Sequence, residues 1–222
     1  MTMPKLTLFD LDHTLLCGDS DALWCEFLMD QGLLERESFA QRNADMEARY
    51  QAGTVGVQEF ADFYVGTMAG RTAAQWEPLR QEFLAREIVP RITLAARDCV
   101  SRHLDAGDLV VMTTATNRSL TELTALYFGI EHLIATECEV IDGRFTGRAT
   151  GQLNMREGKV ARLHDWLAAR GHRLEAFDSR AYSDSINDLP LLDAVTHPVA
   201  VDPDARLGPI ARARGWPVIS LR

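Results

Sequence analysis

Two aspartates one residue apart, Asp10 and Asp12, stand at the end of the apolar run Leu6-Thr7-Leu8-Phe9. A run with this β-propensity reads as a buried strand that carries charge to the rim of a sheet. Side chains alternate along an extended chain, so carboxylates at this spacing point the same way while the strand continues. A turn after Asp10 lets them flank one small ligand. Like charges this close repel, and a divalent cation or a shared proton is the chemistry such a pair calls for. Asp-x-Asp alone also occurs at solvated strand ends, so its meaning depends on what the rest of the chain brings to the same place.

The chain has 222 residues, 25% charged and 46% hydrophobic, with a formal net charge of −9. That length can bury a sizeable core, in one large domain or one domain with an insert. The composition is that of a folded globule without low-complexity tracts. The acidic balance disfavours nonspecific adhesion to nucleic acid or anionic membranes, yet leaves room for a small anion in a locally positive pocket. The residues before Asp10 lack a secretion-signal pattern, and no apolar run reaches transmembrane length. Cys17, Cys25, Cys99 and Cys138 show no Cys-x-x-Cys spacing, which predicts reduced thiols and a cytoplasmic protein. The six histidines include no His-x-x-x-His pair that would mark a helical metal site.

The elements that must position the aspartates follow from periodicity. Gly18-Asp19-Ser20-Asp21 reads as a turn and helix cap before the apolar helix 22–29. From Glu35 to Leu84 the apolar spacing is helical throughout, with Gly53, Gly56 and Gly70 dividing it into three or four helices. Pro90 marks a boundary. Beyond it, helices are predicted at 93–106, 120–128, 158–171 and 188–194, with strand signals at 109–114, 132–137, 138–141, 174–182, 197–201 and 216–220. Asp142-Gly143 turns a hairpin into Arg144–Gly147. Strands alternating with helices predict an α/β fold, a parallel sheet covered on both faces. Ligands bind outside the carboxyl ends of such strands. That rule gathers Asp10 and Asp12, Thr114, Lys159 from an adjacent helix, and Asp184 with Asp188.

In this order the residues resemble the four motifs of the haloacid dehalogenase superfamily. Phe9-Asp10-Leu11-Asp12-His13-Thr14-Leu15 is similar to the first, Thr114 and Lys159 to the second and third, and Tyr182-Ser183-Asp184-Ser185-Ile186-Asn187-Asp188 to the fourth. The helical block between the first two motifs looks like the cap of the phosphoserine-phosphatase-like branch, and the hairpin before Lys159 fits that branch too. The resemblance implies a three-layer, Rossmann-like parallel-sheet core at 1–16 and 91–222, with an all-helical cap at 17–90. It also implies a Mg²⁺-dependent phosphatase acting on a phosphate monoester. Asp10 would be the nucleophile, forming an aspartyl-phosphate that splits one difficult hydrolysis into two easier steps. Asp12 would protonate the leaving alcohol and then activate water. Asp10, Asp184 and the backbone carbonyl of Asp12 would hold Mg²⁺ through oxygen, with Asp188 supporting the metal from behind. Thr114, Lys159 and the backbone amides of Leu11 and Ala115 would bind the phosphate.

An Asp at position 12 looks like a phosphatase by this analogy, since transport ATPases carry Thr there and dehalogenases lack the acid. Two points stay open. Thr113 and Thr114 are adjacent and alternation sends them to opposite sides; Ala115-Thr116-Asn117, which resembles the small-residue turn of this branch, favours Thr114. Ser183 and Ser185 stand where the fourth motif often has glycine. For the substrate, a small phosphorylated metabolite such as phosphoserine or histidinol phosphate, the candidate contacts are Asp19, Arg49, Asn117 and Asn187, with Asp19 and Asp21 placed to face a cationic leaving group. A phosphotransferase on the same scaffold, or a noncatalytic phosphometabolite-binding module, are the alternatives.

Overall fold

The computed structural model describes residues 3–222. Its centre is β1 (Lys5–Phe9), whose Leu6 and Leu8 face one side of the sheet and Phe9 the other, all fully buried. The chain then forms helices α1 (Ser20–Asp30), α2 (Arg36–Gln51), α3 (Val57–Val65) and α4 (Ala73–Phe83) before any second strand. After α5 (Leu94–Asp105) come β2 (Leu109–Asn117), α6 (Arg118–Tyr127), β3 (His132–Ile141), β4 (Arg144–Thr150), α7 (Glu157–Ala168) and β5 (Asp178–Ser183). The chain ends with α8 (Leu189–Ala194), β6 (His197–Val201), α9 (Leu207–Ala213) and β7 (Val218–Ile219). No helix among the described residues is long and apolar enough to cross a membrane.

The seven strands lie in the order β4-β3-β2-β1-β5-β6-β7. Every neighbouring pair is parallel except β3 with β4. The chain therefore leaves β1 toward β2 on one side and returns to β5 on the other. This reversal opens a crevice at the carboxyl end of β1, where the aspartates emerge.

Each face of the sheet buries its own apolar cluster. On one, Leu6, Leu8, Val111 and Ala181 meet Leu163 and Leu167 of α7, Leu192 of α8 and Ala211 of α9. On the other, Phe9, Met112 and Tyr182 meet Val100 of α5 and Leu120 of α6, and the same cluster runs on into Trp24, Phe27, Trp76 and Phe83 of α1 and α4. The inserted helices thus share a core with the sheet. A third cluster, Cys25, Met46, Val55, Phe60 and Tyr64, packs α1, α2 and α3 on one another.

The hairpin ties the insert to the sheet. Asp142 and Gly143 both have positive φ, the geometry of a two-residue turn matched to strand twist. Beyond it, Phe145 exchanges backbone hydrogen bonds with Gly70 (2.8 Å) and Arg71 (3.0 Å), and the Ala149 N–H donates to Asp62 of α3 at 2.9 Å.

Four sequence expectations need correction. The two strand signals at 132–141 are one strand, because its first half pairs in parallel with β2 and its second half antiparallel with β4. The strand expected at 174–182 begins with a short 3-10 turn, Leu174–Ala176. The strand expected at 216–220 is only Val218–Ile219, at the sheet edge. Finally, α9 was not anticipated, since Gly208-Pro209 reads as a break; proline is tolerated in a first helical turn, where its missing N–H has no intrahelical partner.

Candidate active site

β1 ends one residue before Asp10, whose N–H donates to the Tyr182 carbonyl at 3.0 Å as the last rung to β5. The chain then folds back sharply: His13 takes φ +58°, and the N–H groups of Thr14, Leu15 and Leu16 all point to the Leu11 carbonyl. This turn sets the carboxylates of Asp10 and Asp12 at the crevice. Both line a cavity of about 340 Å³, together with Ala115 and Asp184.

Lys159 reaches this point from the first turn of α7 and is buried. Its ammonium donates to Asp10 Oδ1 and to Asp188 Oδ2, each at 2.7 Å. Burial alone would discharge it, but the two carboxylates outweigh that and hold its pKa above the ordinary lysine value. On the other edge of Asp10, the Thr14 hydroxyl lies 3.0 Å from Asp10 Oδ2 and 3.0 Å from Asp184 Oδ1, while accepting the Asp184 N–H. One hydroxyl hydrogen serves only one of those two oxygens. Burial lifts Asp10 to about 7 against the pull of Lys159, with Asp188 and Asp12 adding to the rise. Asp184 is pushed well up by burial and then by Asp10 and Asp188.

Two carboxylates, Asp10 and Asp188, therefore contact the ammonium, and Asp12 and Asp184 add negative charge at the cavity. The surplus negative charge and the all-oxygen donors suit a hard divalent cation. No three His, Cys, Asp or Glu side chains among the described residues form a ready-made metal cluster.

Asp12 is held on the opposite wall. Its Oδ1 accepts the Ser20 N–H at 2.7 Å, and its Oδ2 accepts from Thr116 Oγ1 at 3.0 Å and, at a longer 3.4 Å, from Thr114 Oγ1. The two neighbouring threonines point to opposite sides. Thr114 faces Asp12, whereas Thr113 faces the other way and accepts from Asn154 Nδ2. The Leu11 side chain is in the core, and among the described residues its N–H donates to no partner.

The fourth-motif serines have work that glycine could not do. Ser183 Oγ donates to Asp188 Oδ2 at 2.7 Å and accepts the Ser185 N–H, while Ser185 Oγ accepts the Asn187 N–H. Asp188 itself does not line the cavity; it grips Lys159 from behind.

Of the expected substrate contacts, none of the four lines the cavity. Arg49 is turned away, its guanidinium bound by both oxygens of Glu59 at 2.8 and 2.9 Å beside a separate groove. Asn117 caps α6 by accepting the Leu120 N–H, and Asn187 accepts from Arg156 Nε at 3.4 Å. Asp19 caps α1 through the Ala22 N–H. Its burial, then Asp12 and Glu47, push its carboxyl up to about 8.

Residues that sequence reasoning passed over complete the wall: His13, Tyr50, Gln51, Asp202, Asp204, Arg206 and Arg222. Asp202 and Asp204 were findable, since they follow β6 and obey the same carboxyl-end rule. Asp204 accepts the Ile186 N–H at 2.8 Å and so braces the fourth-motif loop. Tyr50 and Gln51 carried no such signal, because the helical pattern of α2 does not say which residues overhang the sheet.

Gly158 fixes where Lys159 starts. A Cβ there would stand 2.1 Å from the Leu153 carbonyl oxygen, a backbone atom that cannot swing aside. Gly158→Ala is expected to lower stability by about 2 kcal/mol or more and to reduce activity further by displacing Lys159, as measured by denaturant melts and turnover.

Comparison with known proteins agrees with this geometry. The family model for haloacid dehalogenase-like hydrolases matches residues 7–193. The chain is 37% identical to a histidinol-phosphatase of Neisseria meningitidis over 99% of this chain and 100% of that one. It is 33% identical to a phosphoserine phosphatase of Mycobacterium tuberculosis over 96% of this chain and 70% of the other. A solved structure of a Bordetella pertussis protein of unknown function superposes with TM-score 0.94 at 45% identity, covering both chains fully. A substrate-bound phosphoserine phosphatase, 16% identical and covering 100% of this chain and 95% of its own, shares the fold at TM-score 0.70. The chain belongs to the haloacid dehalogenase-like hydrolase family, as a phosphatase that hydrolyses phosphoric monoesters.

Proposed function

We propose that this chain hydrolyses the phosphate monoester of a small amino alcohol, through a covalent intermediate on Asp10, with Mg²⁺ as cofactor. The observation that carries the reading is the buried Lys159 ammonium clamped between Asp10 and Asp188 at 2.7 Å to each, with Asp12 and Asp184 on the same cavity. Phosphate attracts such an ammonium, and a carboxylate beside it is freed to attack.

In the first step Asp10 oxygen forms a bond to phosphorus as the ester P–O bond breaks, and Asp12 gives its proton to the departing alkoxide. In the second, Asp12 takes a proton from water, the water oxygen attacks phosphorus, and the P–O bond to Asp10 breaks to release inorganic phosphate. Lys159 neutralises charge in both steps, and Thr114 with the amides of Leu11 and Ala115 binds phosphoryl oxygens. Mg²⁺ held by Asp10, Asp184 and the Asp12 carbonyl would supply further neutralisation of the phosphate. The inserted helices of 17–90 would act as the cap, with Tyr50 and Gln51 overhanging the leaving group. The four cysteines are unpaired, in keeping with a cytoplasmic setting.

Charge favours an amino alcohol over an amino acid as the leaving group. The cavity wall carries five aspartates, Asp10, Asp12, Asp184, Asp202 and Asp204, against two arginines, Arg206 and Arg222, a balance that suits an ammonium better than a carboxylate. The relative named histidinol-phosphatase spans the whole chain, which supports the same choice.

Phosphate release should be measured over a panel including histidinol phosphate, phosphoethanolamine and phosphoserine, with Mg²⁺ and after chelation. The amino-alcohol esters are expected to exceed phosphoserine in kcat/KM by about 10-fold or more, the cost of bringing a carboxylate into a cavity whose charged residues are mostly aspartates. Chelation should remove activity and Mg²⁺ restore it. A preference for phosphoserine, or turnover indifferent to chelation, would refute the substrate or the cofactor part respectively.

A further inference from the structure

We infer that Thr116 is a positioning residue for the acid Asp12, and that the buried carboxyl group of Asp21 is its anchor. The inference rests on the reading of Asp12 as the leaving-group acid and extends it to two residues that touch no substrate.

Thr116 sits at the end of β2 and is 2% exposed, as is Asp21 in the first turn of α1. Its hydroxyl lies 3.0 Å from Asp12 Oδ2, 2.9 Å from Asp21 Oδ2 and 3.3 Å from Ser20 Oγ. A hydroxyl has one hydrogen and two lone pairs, so these three contacts use its whole capacity. If the hydrogen goes to Asp12 and Ser20 donates into one lone pair, Asp21 must donate into the other as a carboxylic acid. The remaining oxygen, Asp21 Oδ1, is buried without a hydrogen-bond partner. An unpaired acid carbonyl is tolerable there, whereas an unpaired anionic oxygen is far more costly.

The direction of this chain matters for Asp12. With Asp21 and Ser20 donating into Thr116, the hydroxyl can only donate onward, and Asp12 Oδ2 is obliged to accept. Oδ1 already accepts the Ser20 N–H at 2.7 Å. Both oxygens are then held as acceptors, and a proton carried by Asp12 must lie on a lone pair left open toward the cavity. Reverse the chain, and Asp12 would direct its proton at Thr116 instead of the ester oxygen.

The test exploits leaving groups of different need. An alkyl ester needs a proton from Asp12 to depart, while p-nitrophenolate is stable as its anion and leaves unaided. Thr116→Val is expected to slow formation of the phosphoenzyme from phosphoethanolamine by about 10- to 100-fold while leaving the p-nitrophenyl phosphate burst within about threefold of the unaltered chain. Thr116→Ser should restore the alkyl rate, and Asp21→Asn, whose amide still donates, should keep it. If Thr116→Val does not fold, Thr116→Ala carries the same expectation, and the p-nitrophenyl burst reports folding in either. Equal slowing of both esters, or of neither, overturns the inference. Asp12→Asn separates the two levels. If it slows the alkyl ester and Thr116→Val does not, only the positioning role fails; if it slows neither, the acid role of Asp12 fails and takes this inference with it.

Discussion

Asp10→Asn is expected to lower kcat by about 10⁴-fold or more, because the amide is nearly the same shape but cannot attack phosphorus. The fold should survive. Asn keeps an oxygen for Lys159 and turns its NH2 to the Thr14 hydroxyl, which can accept it while donating to Asp184, and it removes one of the two carboxylates in contact with that ammonium. Burial makes the charged form of Asp10 unfavourable, lifting its carboxyl to about 7, so the neutral amide spares the folded state that penalty. Thermal unfolding should therefore occur at or above the original midpoint while phosphate release disappears. Retained turnover in this variant would rule Asp10 out as nucleophile and leave the covalent route without an acceptor.

Lys159→Met is expected to damage both activity and stability, and the two effects can be taken apart. Asp10 and Asp188 lose the only cation among the described residues in contact with both, and removing one member of a buried, hydrogen-bonded charge set typically costs about 3–5 kcal/mol. For a chain of this size that corresponds to a fall in Tm of roughly 10 °C. The loss of charge neutralisation at the phosphoryl group should reduce kcat by about 10²- to 10³-fold. Adding Asp188→Asn removes one stranded carboxylate and should recover part of the Tm, with no recovery of kcat. If the double variant regained activity along with stability, Lys159 would be a structural ion-pair residue and its chemical role would be withdrawn.

Much of the fold was legible because it depends on short-range patterns. Leu6–Phe9, Val110–Met112 and Val199–Val201 are runs buried on both faces, as parallel strands are, and the helical spacing of 35–84 survives as α2, α3 and α4. Where elements were misread, pairing decided. β3 is continuous only because a parallel partner holds one half and an antiparallel partner the other, information that lies in β2 and β4.

The candidate contacts fared differently for a similar reason. Arg49, Asn117 and Asp19 have side-chain types suited to substrates, and the same types suit an ion pair and two helix caps, which is where they are found. A residue type announces what it can bond, and its neighbours decide which bond it makes. Asp188 shows the same: its place in the fourth motif was evident, yet its role as the rear grip on Lys159 required α7 and β5 to be brought together.

The order of Asp10, Asp12, Thr114, Lys159, Asp184 and Asp188 along the chain, all but Lys159 at or near a strand end, was enough to determine an α/β phosphatase-like sheet, since chain order and strand polarity together fix which ends coincide. Distances and proton placement were not contained there. That Thr114 rather than Thr113 faces Asp12 and that one Thr116 hydroxyl spans Asp12 and Asp21 were decided by tertiary packing, because contacts of about 3 Å between residues 95 or more positions apart are set by how helices seat on the sheet.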